Sequence, residues 1–220
     1  MIWERKSVRQ KGMVLDKRVR AVTEAAAVLF STRGFLETSM EEIARTAQMS
    51  KGGIYHYFES KTEILYAIVS DFMDNVLAGI EDQLARLEDA EEKLSFLVRR
   101  HVDIYIHHMH AARVLLKDAN NLPSNERKQL TSKERLYYAA MAEAITPFLG
   151  EAPDKGVLTA ATFSLLGMCN WIYSWYDPKG PIDPERLSKI IIAIFTGGIR
   201  GVGPYPNIAR QDKDESRAAR

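Results

Sequence analysis

The sequence predicts an all-α protein. Apolar residues recur at spacings of three and four along most of the chain, which is the period of a helix with one buried face. Alternating apolar and polar runs, the signal of a half-buried strand, are nearly absent. Loops rich in glycine, proline and asparagine separate the periodic segments. With 220 residues, 46% of them hydrophobic, the chain is long enough to bury a real core.

Four helices are predicted in the N-terminal part. Gly34 follows the first in the position of a helix-ending glycine. Ser39 and Glu42 have the spacing of a capping box at the start of the second. Ser60 is predicted to cap the fourth, whose apolar stripe continues for about seven turns. The predicted ranges are 19–30, 40–47, 50–58 and 60 to about 88.

Longer helices are predicted in the remainder of the chain, and loops containing proline or glycine separate most of them. Their ranges are about 91–109, 111–121, 124–149, 154–177 and 183–200. Pro147 lies inside the third of these and is expected to kink it or end it early. Residues 203–220 lose the helical periodicity and gain proline and charge, which predicts a disordered tail.

Charge is segregated along the chain, although the net charge is only +1. The first twenty residues are strongly basic, and 71–92 are strongly acidic. We therefore expect residues 1–15 to form a basic, flexible arm that either touches DNA or is simply solvated. The single cysteine, Cys169, fits a core position in a reducing compartment. Neither a signal peptide nor a membrane span is expected, so a soluble cytoplasmic protein is predicted.

The second and third predicted helices, joined by Gln48, Met49 and Ser50, have the layout of a helix-turn-helix. In this layout the second helix of the motif lies in the major groove with its N-terminal residues at the bases. Two adjacent glycines allow the backbone to approach DNA, three ring-bearing residues supply hydrogen-bond donors, and two lysines suit phosphates. The predicted DNA-binding residues are Ser50, Lys51, Gly52, Gly53, Tyr55, His56, Tyr57 and Lys61. A plain helical hairpin with exposed Lys and Tyr is the alternative.

The segments TSMEEIA (38–44), AQMSKGGIYHYF (47–58) and SKTEIL (60–65) resemble the DNA-binding domain of the TetR family of bacterial transcriptional regulators. The resemblance implies an all-helical homodimer that binds DNA with residues 16–62 and holds a small-molecule pocket within 63–202. It adds Thr38 to the DNA-contacting positions. Gln48 stands where the family usually has glycine, so either Gln48 adopts a positive φ or the turn has a different shape.

A second run, LLGMCNWIYSWY (165–176), is apolar or aromatic around its whole circumference. It must therefore pack against another subunit, line a cavity, or both. With the loop after it, this run is similar to the TetR branch that responds to acyl-coenzyme A thioesters. That resemblance implies an apolar channel with cations for the coenzyme A phosphates, unless these residues are simply core. The candidate ligand-binding residues are Arg100, Tyr105, Met109, Arg113, Tyr137, Met141, Met168, Trp171 and Trp175.

The predicted function is a repressor that binds a palindromic operator on double-stranded DNA as a homodimer and is released by an acyl-CoA-like effector. Alternatives are a regulator of drug efflux that responds to aromatic or cationic compounds, and a helical ligand-binding protein without DNA activity. No enzyme is expected, since no phosphate loop, Cys–His arrangement or paired acids occur. No cofactor or metal is expected either, although four histidines between His101 and His110 could pair on helix faces.

Overall fold

The computed structural model describes residues 17–150 and 153–199. Helices occupy most of this part of the chain, and no strand occurs in it, which confirms the predicted all-α class. The helices are α1 (Lys17–Arg33), α2 (Met40–Thr46), α3 (Lys51–Tyr57), α4 (Lys61–Leu77), α5 (Ile80–Leu84), α6 (Ala90–His107), α7 (Met109–Asp118), α8 (Ser124–Ile145), α9 (Lys155–Asn170), α10 (Ile172–Trp175) and α11 (Pro184–Ile199). The predicted basic arm, 1–15, and the predicted tail, 203–220, lie outside the described residues.

The predicted caps of the N-terminal helices are present. Ser39 Oγ accepts a hydrogen bond from the backbone N–H of Glu42 at 3.2 Å, and Glu42 Oε2 accepts one from the Ser39 N–H at 2.8 Å. Ser60 Oγ accepts from the Glu63 N–H at 3.1 Å at the start of α4. Gly34 directly follows the last residue of α1 and has a positive φ of 99°, as is typical of a helix-ending glycine. These local hydrogen bonds satisfy backbone groups that a helix end leaves unpaired.

The predicted fourth helix is wrong in length. It ends at Leu77 rather than near residue 88, because the backbone turns at Gly79, whose φ is 69°. The short α5 follows that glycine. Two other breaks divide predicted helices: Pro147 lies in a 3₁₀ turn after α8 ends at Ile145, as expected of proline, and Trp171 separates α9 from α10.

The described residues form two compact units, to which α6 and α8 both contribute. Unit A comprises the described residues up to Ala78 together with Ile104–Tyr137, and unit B comprises Gly79–Asp103 with the described residues from Tyr138 onward. The functional boundaries predicted at residues 62 and 63 stay a prediction.

Unit A is built around α1, which packs against α2, α4 and α7. Helix α2 packs in turn against α3. Fully buried apolar residues from four helices meet in its core: Val22, Phe30, Ile43, Ile54, Ile64, Leu65 and Val69. This core fixes the inner face of α3 and leaves its outer face to solvent.

Unit B packs α9 against α11 around a core that includes Leu97, Leu165 and Cys169. Trp171 and Trp175 are 63% and 54% exposed, so the single chain does not cover the aromatic run that the sequence predicted to be buried on several sides. Among the described residues, Lys155–Trp175 is one helical stretch long and apolar enough to cross a membrane by length and composition. A core helix of a soluble protein passes the same test, so this stretch is weak evidence for a span.

Candidate nucleic-acid interface

Helix α3 is held by its inner face and presents its outer face to solvent. Ile54 and Phe58, four residues apart, are buried in unit A. Tyr55 is 45% exposed, and His56 beside it is exposed as well. Tyr57 is half-buried, with its ring edge-on to that of His56 at 5.0 Å between centroids. The outer face therefore offers phenol and imidazole groups, which hydrogen-bond as donors or acceptors.

The turn before α3 is a helix-ending motif built on Gln48. The Met49 N–H donates to Ala44 O at 2.8 Å, and the Gln48 N–H donates to Arg45 O at 3.2 Å. This is the Schellman pattern, in which the residue after the C-cap adopts the left-handed conformation. Gln48 does so with φ of 55°. The structure thus settles the alternative posed by the sequence: the turn keeps the shape that favours glycine, and Gln48 bears the strain.

The two glycines of α3 stand in different surroundings. A Cβ added at Gly52 would meet no atom within 4 Å, and this residue is exposed. A Cβ added at Gly53 would lie 3.1 Å from Ser50 Oγ, the atom that accepts the Gly53 N–H as the N-cap of α3. Contacts inside the chain therefore leave less room beside Gly53 than beside Gly52, where they set no limit on the size of the side chain.

Cations surround the start of α3. Lys51 Nζ lies 2.5 Å from Glu41 Oε1, and this hydrogen bond raises the pKa of Lys51 and lowers that of Glu41. Both side chains are exposed, so the pair contributes little to stability. Lys17 and Arg18, also exposed, line one side of an open cleft of about 430 Å³. Gln48, Met49, Ser50 and Gly53 line the same cleft.

Lys17 and Arg18 are not among the site residues predicted from the sequence. The excess of cations in the first twenty residues is the signal that could have indicated them.

Two residues predicted to contact DNA hydrogen-bond to other groups of the chain, and their contact with DNA stays a prediction. Thr38 is only 2% exposed, and its hydroxyl donates to Gly34 O at 2.9 Å, so this side chain does not form part of the outer surface. Lys61 was expected to wait for a phosphate. Instead its ammonium group donates to the carbonyls of Phe35, Leu36 and Thr38, which compensate its charge within the chain.

The candidate ligand-binding residues are divided between the two units, so a common pocket stays a prediction. Unit A contains Tyr105, Met109, Arg113 and Tyr137, whereas unit B contains Arg100, Met141, Met168, Trp171 and Trp175. In unit A both tyrosines are buried, and the Tyr105 ring packs edge-on against Phe72 at 5.2 Å. In unit B, Met141 is fully buried, in contrast to the two exposed indoles.

Two titratable residues are buried in unit B. Burial lowers the pKa of His101 to about 3, although its side-chain hydrogen bond with Asn170 opposes the shift. Burial also raises the pKa of the Cys169 thiol to about 12, which makes it a poor nucleophile. Within the described part of the chain, no group of three or more His, Cys, Asp or Glu residues could hold a metal ion.

Comparison with known proteins covers most of the chain. The pattern described as "Bacterial regulatory proteins, tetR family" matches residues 22–68, and that described as "Tetracyclin repressor-like, C-terminal domain" matches residues 87–199. The HTH-type transcriptional repressor KstR2 of Mycolicibacterium smegmatis is 27% identical over 183 residues, which are 80% of this chain and 87% of the relative.

Solved structures of regulators have the same fold. A TetR-family transcriptional regulator from Bordetella parapertussis matches with a TM-score of 0.77 and 27% identity, covering 86% of this chain and 96% of that one. AibR in complex with isovaleryl coenzyme A and operator DNA matches with a TM-score of 0.70 and 27% identity, covering 80% and 97%. The helix-turn-helix geometry, both matched patterns and these relatives agree: the chain belongs to the TetR family of transcriptional regulators.

Proposed function

We propose that this protein is a cytoplasmic, dimeric repressor that binds a palindromic operator through α3 and releases it when an acyl-CoA-like effector binds. The observation that carries the DNA-binding part is the outer face of α3. Gly52 leaves open space beside the backbone, and Tyr55 and His56 project from the same short helix. A bare backbone next to exposed donors suits a helix that must fit closely into the major groove.

Phosphates on either side of the groove have cationic partners in this proposal. Lys17 and Arg18 flank the cleft beside Ser50, and Lys51 stands at the first position of α3. Lys51 can leave its exposed ion pair with Glu41 and bind a phosphate instead, at little cost in free energy. Each phosphate neutralised by such a cation steepens the dependence of binding on salt.

Dimerisation is supported by the apolar surface that unit B leaves uncovered. Large hydrophobic side chains of α9, α11 and the segment between them are exposed in the single chain: Phe163, Trp171, Trp175, Ile190 and Ile194. Exposed apolar surface of this kind indicates a protein partner. In a two-fold dimer the same surface of each chain faces the other, and the two α3 helices could enter successive major grooves.

An acyl-CoA effector is supported by chemistry and by one relative. AibR, a structural relative of this chain, is described with isovaleryl coenzyme A. The candidate residues combine apolar side chains for an acyl group with Arg100 and Arg113 for phosphates. Releasing the operator 100-fold requires that the effector prefer the released state by about 2.7 kcal/mol. An aromatic or cationic drug is the alternative effector, because Trp and Tyr faces attract cations.

Operator binding is tested with the purified full-length chain and labelled duplexes. Binding to promoter fragments near its own gene is measured by fluorescence anisotropy at several salt concentrations, with random duplex as competitor. We expect saturable, salt-dependent binding, with an affinity for a specific fragment on the order of a thousand times the affinity for random DNA. Equal affinity for both duplexes would refute the repressor and support the ligand-binding protein without DNA activity.

The effector class is tested by thermal shift with CoA esters of increasing acyl length and with aromatic cations. We expect a CoA ester to stabilise the chain and to dissociate the operator complex, since a ligand that binds only the folded state raises its stability. Arg113→Met should abolish this response, whereas Arg135→Met, at an exposed position outside the candidate set, should keep it. Stabilisation by aromatic cations alone would favour the drug-responsive alternative.

A further inference from the structure

We propose that Lys61 does not make the phosphate contact expected of it. It is instead a positioning residue, which fixes the recognition helix α3 through hydrogen bonds inside the protein. This inference rests on the proposed operator binding. Lys61 is the first residue of α4, directly after its N-cap Ser60. A cation at this position opposes the helix dipole, so its presence requires compensation.

The ammonium group of Lys61 is saturated by the protein itself. It donates to Phe35 O at 2.6 Å, to Thr38 O at 2.7 Å and to Leu36 O at 3.1 Å. The same nitrogen lies 4.4 Å from the centre of the Phe35 ring, within range of a cation–π interaction. A lysine has three N–H donors and no acceptor. All three are therefore used, and a phosphate oxygen could bind only after one of these bonds breaks.

These hydrogen bonds join the two ends of the chain segment that forms the helix-turn-helix. Thr38 and Lys61 are 23 residues apart, and the segment between them contains α2, the Gln48 turn and α3. Bringing the ends of such a segment together costs loop-closure entropy, which three charge-assisted bonds at one atom offset. Lys61 thus joins the two ends of the segment that carries the recognition surface.

The three hydrogen bonds from Lys61 to the Phe35–Thr38 loop are called the clasp below. Other contacts hold the same loop. The Phe35 ring packs edge-on against Phe30 of α1 at 5.2 Å. The Phe35 N–H points to Asp118 Oδ1, at the end of α7, at 3.5 Å. Because Phe35 is anchored to α1 and α7, a clasp from Lys61 to this loop sets the position of α3 relative to the core of unit A.

A positioning role and a phosphate role make different predictions for the dependence of operator binding on salt. We expect Lys61→Met to lower operator affinity by at least about tenfold, since each chain of the dimer loses three hydrogen bonds from a charged group, with no change in the salt slope. The matched variant Lys51→Met removes a proposed phosphate contact from each chain of the dimer and should lower the magnitude of the slope by about 1.8, or about 0.9 per contact. A slope reduced equally by Lys61→Met would overturn the proposal.

The conservative variant gives a second discrimination. Lys61→Arg keeps a positive charge that could serve a phosphate, but a planar guanidinium cannot direct three donors from one atom at three carbonyls. We therefore expect Lys61→Arg to bind the operator as weakly as Lys61→Met. Binding by Lys61→Arg at the affinity of the unmodified chain would refute the clasp.

Hydrogen exchange in the DNA-free protein tests the clasp independently of the operator. In Lys61→Met and Lys61→Arg, amides of α2, α3 and the Phe35–Thr38 loop should exchange faster, by about tenfold, while amides of unit B should keep their rates. Unchanged exchange in that segment would overturn the proposal even if operator binding is confirmed. Faster exchange without any operator binding by the unmodified chain would instead refute only the proposed function.

Discussion

Gly52→Ala separates the requirements of folding from those of DNA binding. Gly52 is exposed and belongs to α3, and an added Cβ would meet no atom of the chain within 4 Å. Alanine is more favourable than glycine inside a helix by about 1 kcal/mol. The structure thus predicts that Gly52→Ala stabilises the fold by about 1 kcal/mol, which corresponds to a rise in Tm of roughly 2–4 °C for a chain of this size.

The same methyl group should weaken operator binding if α3 fits closely into the major groove. Inserting a methyl into a well-packed contact costs about 1–3 kcal/mol. Since the proposed dimer carries this change in both α3 helices, we expect the affinity of Gly52→Ala for the operator to fall by roughly 30-fold or more. Thermal denaturation and fluorescence anisotropy on one preparation measure both effects, and the gain in stability serves as an internal control for folding.

Gly53→Ala is the matched comparison. Its Cβ would lie 3.1 Å from Ser50 Oγ, so the N-cap contact must give by a few tenths of an ångström, and we expect a smaller gain in stability than at Gly52. A larger gain at Gly52 than at Gly53 would show that the chain itself leaves more room at Gly52. If Gly52→Ala gains stability and binds the operator within about twofold of the unmodified chain, the backbone of α3 does not approach DNA closely.

Three further predictions concern stability. Gln48→Gly should stabilise the chain by about 1 kcal/mol in urea denaturation because φ is 55°, and an equal gain from Gln48→Ala would contradict the strain argument. Ser50→Ala should cost about 1 kcal/mol through loss of the N-cap, and an unchanged urea midpoint would show that this bond contributes nothing. His101 stays neutral to about pH 3 when folded but gains a proton below about pH 6.5 when unfolded, so stability should fall by about 1.4 kcal/mol for each pH unit of acidification between these values. His101→Gln should flatten this dependence of stability on pH, and an equal dependence in His101→Gln and the unmodified chain would refute the argument.

The features that sequence could predict are those set by neighbouring residues. The capping box at Ser39 and Glu42 and the cap at Ser60 depend on spacings of three, and both are present. The end of α4 could not be predicted in this way, because the apolar stripe continues in register through Gly79 and hides its positive φ. The role of Lys61 depends on carbonyls 23 to 26 residues away, which no local pattern specifies.

The exposed aromatic run of unit B has a different origin. Sequence pattern shows that Trp171 and Trp175 are apolar and one helical turn apart, but it cannot show which molecule covers them. The structure adds that the single chain leaves both exposed and that the helix breaks at Trp171. Burial by a second chain is therefore part of the proposed function rather than a property of this fold.

Almost all of the interactions that stabilise α3 come from residues that do not lie on its solvent-exposed outer face. A helix of seven residues is far below the length at which an isolated helix is stable, and two glycines weaken it further. Ile54 and Phe58 anchor it from the inside, Ser50 caps it, and Lys61 closes the segment around it. Because the outer face contributes little to folding, its residues can change with the operator sequence at small cost in stability. Substitutions at Ile54 or Lys61, by contrast, must alter the position of α3 itself.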